Sequence, residues 1–218
     1  MAYSFPRIYP ILDSTVIDAA AIPGARRAEF LRRLATELAQ TGITLLEYRN
    51  KTADESQLLA DAAILREHLP APNIKLILDD RADLIEQIGF DGVHVDAGDM
   101  IPAAARRLLG PSKIVGTFGG SESLLPGILA EPVDYLSIGP IFLSQTKQST
   151  RAPIRSAGVR KLRDEAGPNP VLVAAGGITL ESAPAVFAAG ATTVAVSAAI
   201  FRAADPAAEL RRWLTELK

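Results

Sequence analysis

The chain has 218 residues, of which 48% are hydrophobic and 22% charged, and its formal net charge is −2. This is the composition of an ordinary globular protein, and without a basic excess we expect no nucleic-acid partner. The sequence has no cysteine and only two histidines, His68 and His94, which excludes a thiolate nucleophile and any cysteine-based or histidine-rich metal site. A metal here would need oxygen ligands.

The apolar runs of the chain stay well short of the roughly 20 residues that cross a bilayer. Residues 1–7 have neither the basic start nor the long apolar stretch of a secretory signal. We therefore expect a cytoplasmic protein that has no membrane partner.

Short β-branched runs alternate with longer stretches of helical periodicity along the whole chain, a pattern that predicts βα units and a parallel sheet. Helices are clearest over Arg26–Thr41, Asp54–His68, Ser156–Ala166 and Pro206–Lys218, and one is predicted after every strand. The predicted strands are Ile8–Asp13, Leu45–Asn50, Ile74–Asp80, Gly92–Asp96, Ile114–Phe118, Tyr135–Ile141, Val171–Gly176 and Thr193–Val196.

Eight such cycles can form either a closed barrel or an open, doubly wound sheet. The open sheet usually has a glycine-rich turn after its first strand. Here the first strand ends Leu12-Asp13-Ser14, without glycine. We therefore predict a single-domain α/β protein with the (β/α)₈ TIM-barrel fold, in which the active site lies at the carboxyl ends of the strands.

Charged residues occupy alternate positions where the second strand ends. Glu47, Arg49 and Lys51 follow the apolar Leu45 and Leu46, and a period of two places the three charges on one face. One interpretation is a solvated strand end held by a salt bridge. The other is a functional site at the mouth of the barrel.

Carboxylates gather after the third and fourth strands. The apolar third strand runs into Asp79 and Asp80, and Asp99 follows the fourth strand. Adjacent acids in such a place are costly unless they are paired or bind a metal. Mg²⁺ takes one or two protein carboxylates and completes its shell with water and phosphate oxygens, which predicts Mg²⁺ on Asp80 and Asp99. Alternatively, Asp79 or Asp80 caps a helix that begins near Arg81; His94, in mid-strand, is interpreted as structural.

The polar loop after the sixth strand contains Ser144, Thr146 and Lys147. Hydroxyl groups beside a lysine predict a site for an anion. The same composition is also ordinary for a protein surface, so the loop supports the prediction only together with its neighbours.

Small residues end the last two strands. The seventh ends in Gly176-Gly177 and the eighth in Ser197-Ala198. Such residues let backbone N–H groups approach a phosphate, which barrels commonly bind after strands seven and eight. The glycines are equally compatible with the steric needs of a tight turn.

These segments resemble the thiamine phosphate synthase family, and the likeness covers nearly the whole chain. The most specific match is Gly139-Pro140-Ile141-Phe142 with Thr146-Lys147 after it. The other matching segments are Arg49 with Lys51, Asp80-Arg81, Asp91–Val95, Asp99-Met100 and Ala175–Thr179. The resemblance implies a transferase that joins 4-amino-5-hydroxymethyl-2-methylpyrimidine diphosphate to 4-methyl-5-(2-phosphoethyl)thiazole.

The resemblance also implies roles for individual residues. The Mg²⁺ cofactor would be held by Asp80 and Asp99. The partners would be small phosphorylated substrates, with a homodimer as an open option. The catalytic residues would be Arg49, Lys51 and Lys147. The substrate-binding residues would be Glu47, Asp79, Thr117, Ser144, Thr146, Gly177, Ser197 and Ala198.

Several positions depart from the family pattern. Glu47 replaces a glutamine, Asp79 an asparagine and Phe118 a serine, and Ala97 and Ala198 also differ. The two new carboxylates should repel a diphosphate, since at an effective dielectric near 20 two charges ~4 Å apart interact by about 4 kcal/mol. The alternative function is therefore a relative that binds a thiazole phosphate or another small phosphate without the transfer reaction, as an isomerase-like or regulatory protein.

Overall fold

The computed structural model describes residues 3–20, 26–51, 54–96, 98–143 and 151–218. In these ranges parallel strands close into a barrel in chain order, so that the first strand pairs with both the second and the eighth. The strands are β1 Ile8–Asp13, β2 Leu45–Arg49, β3 Lys75–Asp79, β4 Gly92–Val95, β5 Ile114–Gly120, β6 Tyr135–Ile138, β7 Leu172–Ala175 and β8 Thr193–Val196. Closure confirms the predicted barrel and rules out the open sheet.

Helices pack against the outer side of the barrel through the larger of two hydrophobic clusters. Among the residues described, none of these helices is both long and apolar enough to cross a membrane. The α-helices are α1 Ser14–Ala20, α2 Arg26–Ala39, α3 Glu55–His68, α4 Ile85–Ile88, α5 Pro102–Leu109, α6 Arg155–Ala166, α7 Ala183–Ala188, α8 Ala198–Phe201 and α9 Pro206–Glu216.

The connection between β5 and β6 differs from the prediction of a helix after every strand. Residues 121–134, all of them described, contain the short 3₁₀ helix Ile128–Ala130 in place of an α-helix. Pro126 and Pro132 flank this turn, and proline cannot continue the interior of a helix. The outer layer therefore has no α-helix between β5 and β6.

Several strand ends differ from prediction by one to three residues, and at two of them the chain turns sharply. β3 ends at Asp79 because Asp80 adopts a left-handed conformation with φ 75° that turns the chain. β6 ends at Ile138 because Gly139, with φ 145°, and Pro140 leave the extended path. Both turns occur at the carboxyl end of the barrel, where the loops begin.

Alternate side chains of the strands point into the barrel, where they form the smaller hydrophobic cluster. Its buried members are Tyr9, Leu45, Ile77, Ile114, Tyr135, Val173 and Ala195. Because the period is two, Glu47 follows Leu45 on the inner face and Asp79 follows Ile77. This smaller cluster forms an apolar plug in the barrel, and the polar side chains lie above it at the carboxyl end.

A buried carboxylate connects β2 with α2 and α3. Asp61 of α3 is 1% exposed, and it accepts hydrogen bonds from Arg27, Tyr48 and Gln57. Arg27 also pairs with Asp18 of α1, whose side chain is 52% exposed. Asp61 is thus the buried acceptor on which several donors depend.

We expect Asp61→Ala to lower the free energy of unfolding by about 3 kcal/mol, because it leaves the Arg27 guanidinium and the Tyr48 hydroxyl buried without their acceptor. Urea unfolding followed through the fluorescence of Trp213, the single tryptophan and fully buried, measures this loss. The matched control is Asp18→Ala, which removes the exposed partner of the same arginine and should cost less than about 1 kcal/mol. Equal losses in the two variants would contradict this account.

Candidate active site

A cavity of about 670 Å³ opens at the carboxyl ends of the strands, and every strand contributes to its wall. This is the end at which TIM barrels carry their active sites. The contributions, in strand order from β1 to β8, are Asp13, Arg49, Asp79, His94, Phe118, Ser137, Ala175 and Val196. Charged groups lie on the side of β1 to β4, and small or apolar groups lie on the side of β6 to β8.

Arg49 and Lys51 lie among carboxylates at the mouth of β2 and β3. Arg49 donates a hydrogen bond to Asp13 through Nη1, and its Nε lies 3.3 Å from Asp79 Oδ2. Lys51 Nζ lies 3.1 Å from the same Asp79 oxygen and donates to Asp80. Salt bridges therefore hold this strand end, as one interpretation predicted, but Glu47 is buried and not solvated. The pairing also fixes both cations beside the cavity.

Asp80 and Asp99 face each other next to this cluster. Asp80 N–H donates to the His94 carbonyl at 2.8 Å, and Asp99 Oδ2 accepts from Asp96 N–H at 2.8 Å. Burial and a hydrogen bond with Asp80 raise the pKa of Asp99 to about 6. Burial acts to raise the pKa of Asp80 as well, but hydrogen bonds from Asp99 and Lys51 outweigh it and lower that pKa. The two carboxyls therefore interact closely enough to shift each other's pKa in opposite directions.

The Asp80–Asp99 pair has the chemistry of a divalent-cation site. Asp80 Oδ1 is buried, and within the described ranges no donor satisfies it. In the same part of the chain, no group of three or more histidine and acidic side chains is placed to hold a metal. Two carboxylates completed by water and phosphate oxygens suit Mg²⁺ better than a site built wholly from protein ligands.

The helix-cap interpretation of Asp79 and Asp80 is wrong. The residue that precedes the 3₁₀ helix Ala82–Leu84 is Arg81, and no side chain caps that turn. Asp79 instead lines the cavity and pairs with cations. The left-handed backbone of Asp80 turns the chain away from β3.

Buried polar groups form the floor of the cavity. His94 Nδ1 lies 3.0 Å from the Tyr135 hydroxyl, which lies 3.1 Å from the Tyr9 hydroxyl, and His94 Nε2 lies 3.5 Å from Asp96. Glu47 belongs to the same floor and is 4% exposed. His94 is therefore held by contacts within the floor and is also part of the cavity surface.

The floor groups alter one another's protonation. Burial raises the pKa of Glu47 to about 7, although the charge of His94 opposes that rise. Burial lowers the pKa of His94, but the Asp96 hydrogen bond and the charges of Glu47 and Asp79 outweigh it and raise that pKa to about 9. Burial also raises the pKa of Asp79. The charge of His94 and the charges of the acids beside it are therefore interdependent.

The predicted phosphate residues at the last two strands line the opposite wall. Gly177, Ser197 and Ala198 all contact the cavity. Gly177 has φ +64°, and a Cβ there would lie 2.3 Å from the Leu143 carbonyl oxygen, which confirms the steric explanation of this glycine. Ser197 Oγ is buried and unsatisfied by any group that the structure describes. This hydroxyl is placed to meet a ligand.

Thr117 was predicted to bind substrate, but it does not belong to the cavity wall. Its buried hydroxyl donates to the Val95 carbonyl at 2.8 Å, on the outer side of β5. Neighbouring residues of a strand point to opposite faces, so Phe118 faces the cavity instead. The predicted residues Ser144, Thr146 and Lys147, and the departure at Ala97, lie outside the described residues.

Several cavity residues were missed or left without a role by the sequence prediction, among them Asp13, Asp96, Phe118 and Arg151. The period of two offered a signal for the first three. Asp13 ends the first strand two places after Ile11, and Asp96 follows His94 in the same way. Arg151 lies in an irregular segment, where no periodicity applies.

A family model described as thiamine monophosphate synthase matches residues 15–200 of this chain. The chain belongs to this family. Among its relatives, the thiamine-phosphate synthase of Koribacter versatilis is 39% identical over 184 residues, which cover 83% of this chain and 82% of the relative. The thiamine-phosphate synthase of Agrobacterium fabrum is 34% identical over 205 residues, covering 93% and 89% respectively.

The fold of this thiamine monophosphate synthase family member is shared with a solved structure. The thiamine phosphate pyrophosphorylase from Pyrococcus furiosus superposes with a TM-score of 0.72 over 97% of this chain and 96% of that one. Its sequence identity is 24%, so the comparison supports the barrel and not the details of the site.

We expect Glu47→Gln to stabilise the protein increasingly as pH rises. The Glu47 pKa is about 7 in the folded protein and 4.5 ordinarily. Its ionisation therefore does not affect the free energy of unfolding below pH 4.5 and lowers it by about 3 kcal/mol above pH 7. Urea unfolding between pH 5 and about 8, followed by Trp213 fluorescence, gives the difference from the parent. Glu122→Gln, on the exposed loop after β5, is the control and should give a flat profile. A difference for Glu47→Gln that does not change with pH would refute this origin.

Proposed function

We propose that this chain is a thiamine phosphate synthase. It would join 4-amino-5-hydroxymethyl-2-methylpyrimidine diphosphate to 4-methyl-5-(2-phosphoethyl)thiazole, giving thiamine phosphate and diphosphate. The observation that supports this most is the convergence of Arg49, Lys51, Asp80 and Asp99 beside one cavity, in a member of this family. A cytoplasmic location and a homodimer stay predictions.

The reaction exchanges one bond for another. The bond between the pyrimidine methylene carbon and the diphosphate oxygen breaks, and the diphosphate leaves with the electron pair. The thiazole nitrogen then donates its lone pair to the methylene carbon, forming the new C–N bond. No net proton transfer is needed, so the protein's main task is to stabilise charge on the departing diphosphate.

The proposed diphosphate-binding groups surround the Asp79 corner of the cavity. Arg49 and Lys51 would donate hydrogen bonds to diphosphate oxygens, and their pairing with Asp13 and Asp79 holds them in place beforehand. Asp80 and Asp99 would hold Mg²⁺, which when bound neutralises charge on the leaving group. Lys147, Ser144 and Thr146 are proposed for the same task from the sequence alone.

The two substrates would occupy different walls. The backbone around Gly177 and Ala198 and the hydroxyl of Ser197 would hold the thiazole phosphate. The pyrimidine ring would lie over Glu47 and Asp79. A protonated carboxyl group offers one O–H donor beside an acceptor oxygen, where an amide offers two N–H donors and an acceptor, so Glu47 with a pKa near 7 can partly replace a glutamine.

One observation favours the second candidate, a phosphate-binding relative without transfer activity. In the described residues around the cavity, six carboxyl groups face the cations Arg49, Lys51, His94 and Arg151. Such an excess of acids disfavours a diphosphate more than a single phosphate. The acids are Asp13, Glu47, Asp79, Asp80, Asp96 and Asp99.

The deciding experiment is a turnover assay with the purified chain, the two substrates and Mg²⁺, with detection of thiamine phosphate and of released diphosphate. Stoichiometric appearance of both products supports the synthase. Absence of product, together with calorimetric binding of the thiazole phosphate, would support the phosphate-binding relative and overturn the proposed activity.

We expect Asp80→Ala to reduce Mg²⁺-dependent turnover by about 100-fold or more, because a group that stabilises the leaving charge is lost. Affinity for the thiazole phosphate, measured by calorimetry, should stay within about twofold. Asp83→Ala is the control, since Asp83 is an exposed neighbour that pairs with Arg81. If Asp80→Ala keeps its turnover, the metal assignment is wrong.

Replacing both floor acids tests the effect of their charge. The double variant Glu47→Gln with Asp79→Asn should bind diphosphate about tenfold more tightly, since screening and the paired cations reduce the unscreened repulsion. Calorimetric titration with inorganic diphosphate and Mg²⁺ measures the affinity. Unchanged or weaker binding would show that these carboxylates do not repel the ligand.

A further inference from the structure

Ser137 lies on the inner face of β6, at the cavity. It follows the buried Tyr135 by two residues, and the period of two directs both side chains into the barrel. Ser137 is half-buried and lines the cavity. Within the described ranges, no group forms a hydrogen bond with its hydroxyl. This hydroxyl is therefore available to a ligand.

Ser137 belongs to the same layer of side chains as two of the floor groups. The inward side chains of a TIM barrel form layers of four from alternate strands, and the register advances by about two residues from one member to the next. Counting along the ladders from Glu47 of β2 gives His94 on β4, Ser137 on β6 and Ala195 on β8. All four line the cavity, and we call them the floor layer.

Glu47 and Ser137 face each other across the floor layer. β2 and β6 are four strands apart in both directions around the closed ladder, so they lie on opposite sides of the barrel. Glu47 and His94 have long side chains, whereas Ser137 and Ala195 have small ones, which leaves space on the side of β6 and β8. A flat ring that lies on this layer therefore has one edge at Glu47 and the opposite edge at Ser137.

Of the other members of the floor layer, neither offers a donor for that second edge. Both ring nitrogens of His94 have partners, since Nδ1 lies 3.0 Å from the Tyr135 hydroxyl and Nε2 lies 3.5 Å from Asp96. Ala195 has no polar side-chain atom. Ser137 is thus the member of the layer that can donate a hydrogen bond opposite Glu47.

The pyrimidine ring of the proposed substrate has polar atoms on two opposite edges. On one edge the amino group, a donor, lies beside N3, an acceptor. A carboxyl group such as that of Glu47 matches this edge, because it accepts from the amine and, when protonated, donates to the nitrogen. The other edge carries N1, an acceptor by itself. A hydroxyl donor is the complement of that nitrogen.

We propose that Ser137 is a specificity-determining residue for the pyrimidine ring, and that its hydroxyl donates a hydrogen bond to N1 while Glu47 binds the opposite edge. The inference rests on the proposed function and names a ring contact for its first substrate. It also accounts for Phe118 in the place of the family's serine. Phe118 is in register with Ser137, so the hydroxyl missing from β5 is present on the neighbouring strand.

The first test compares two ligands by calorimetry in the presence of Mg²⁺ and without thiazole phosphate. Ser137→Ala should weaken binding of the pyrimidine diphosphate about tenfold, because a ring nitrogen loses its donor, and should leave binding of inorganic diphosphate within about twofold. Ser123→Ala is the matched control, since Ser123 is exposed in the loop after β5 and lies outside the cavity lining. Equal losses for the two ligands, or no loss for either, would overturn the proposal.

A substrate analogue tests the same contact without relying on the variant alone. In the analogue a C–H group replaces N1 of the pyrimidine diphosphate. The parent should bind it about tenfold more weakly than the pyrimidine compound, whereas Ser137→Ala should bind the two compounds with affinities within about twofold. If Ser137→Ala discriminates between them as strongly as the parent does, N1 meets another group and the assignment is wrong.

The same measurements separate this inference from the proposed function. A parent that makes thiamine phosphate, with a Ser137→Ala variant that keeps its full preference for the pyrimidine compound, would leave the synthase standing and refute the role of Ser137. If the parent makes no thiamine phosphate but its preference for the pyrimidine compound depends on Ser137, the synthase fails and the ring site stands. A parent that binds the pyrimidine compound no more tightly than inorganic diphosphate would also refute the ring site.

Discussion

Closure of the barrel by the pairing of β1 with β8 is the constraint on which the rest of the structure depends. Once the ladder is closed, the period of two decides which side chain of each strand reaches the interior. Bulky apolar groups fill the lower part, where Gly116 leaves the space that the Tyr135 ring occupies. The polar positions above them then converge on one cavity because all the strands run in the same direction.

Convergence brings charges together that would be unstable alone. Asp13 and Asp79 are almost fully buried, and Arg49 lies between them. Lys51 and His94 supply further positive charge, so much of the electrostatic cost of the acids is met inside the cluster. The arrangement keeps strongly charged groups next to an apolar plug and holds them in place for a ligand.

The barrel could be predicted from sequence because it depends on periodicity. The same holds for the site residues that alternate along one strand. The alternation of Glu47, Arg49 and Lys51 predicted their common face, and the structure brings them to one corner. Thr117 was assigned to the site although its neighbour Phe118 is the residue that faces inward, and their adjacency in one strand already implied that only one of them could.

Other features depend on contacts between distant segments and left no local signal. The pKa of Glu47 follows from burial beside His94, which no pattern in either strand reveals. Arg151 meets Phe118 across a separation in sequence that only the folded chain closes. The absence of an α-helix after β5 had a signal in Pro126 and Pro132, but the regular alternation of the other units argued for a helix there.

The close approach of Gly177 to Leu143 links the two loops that follow β6 and β7. The Phe142 N–H also donates to the Gly176 carbonyl, so the loops share a backbone contact as well as a steric one. The backbone at Gly177 therefore has no room to move toward the segment that leaves β6. The side of the cavity formed by β6 to β8 is thus held together by backbone contacts between its loops as well as by the ladder of its strands.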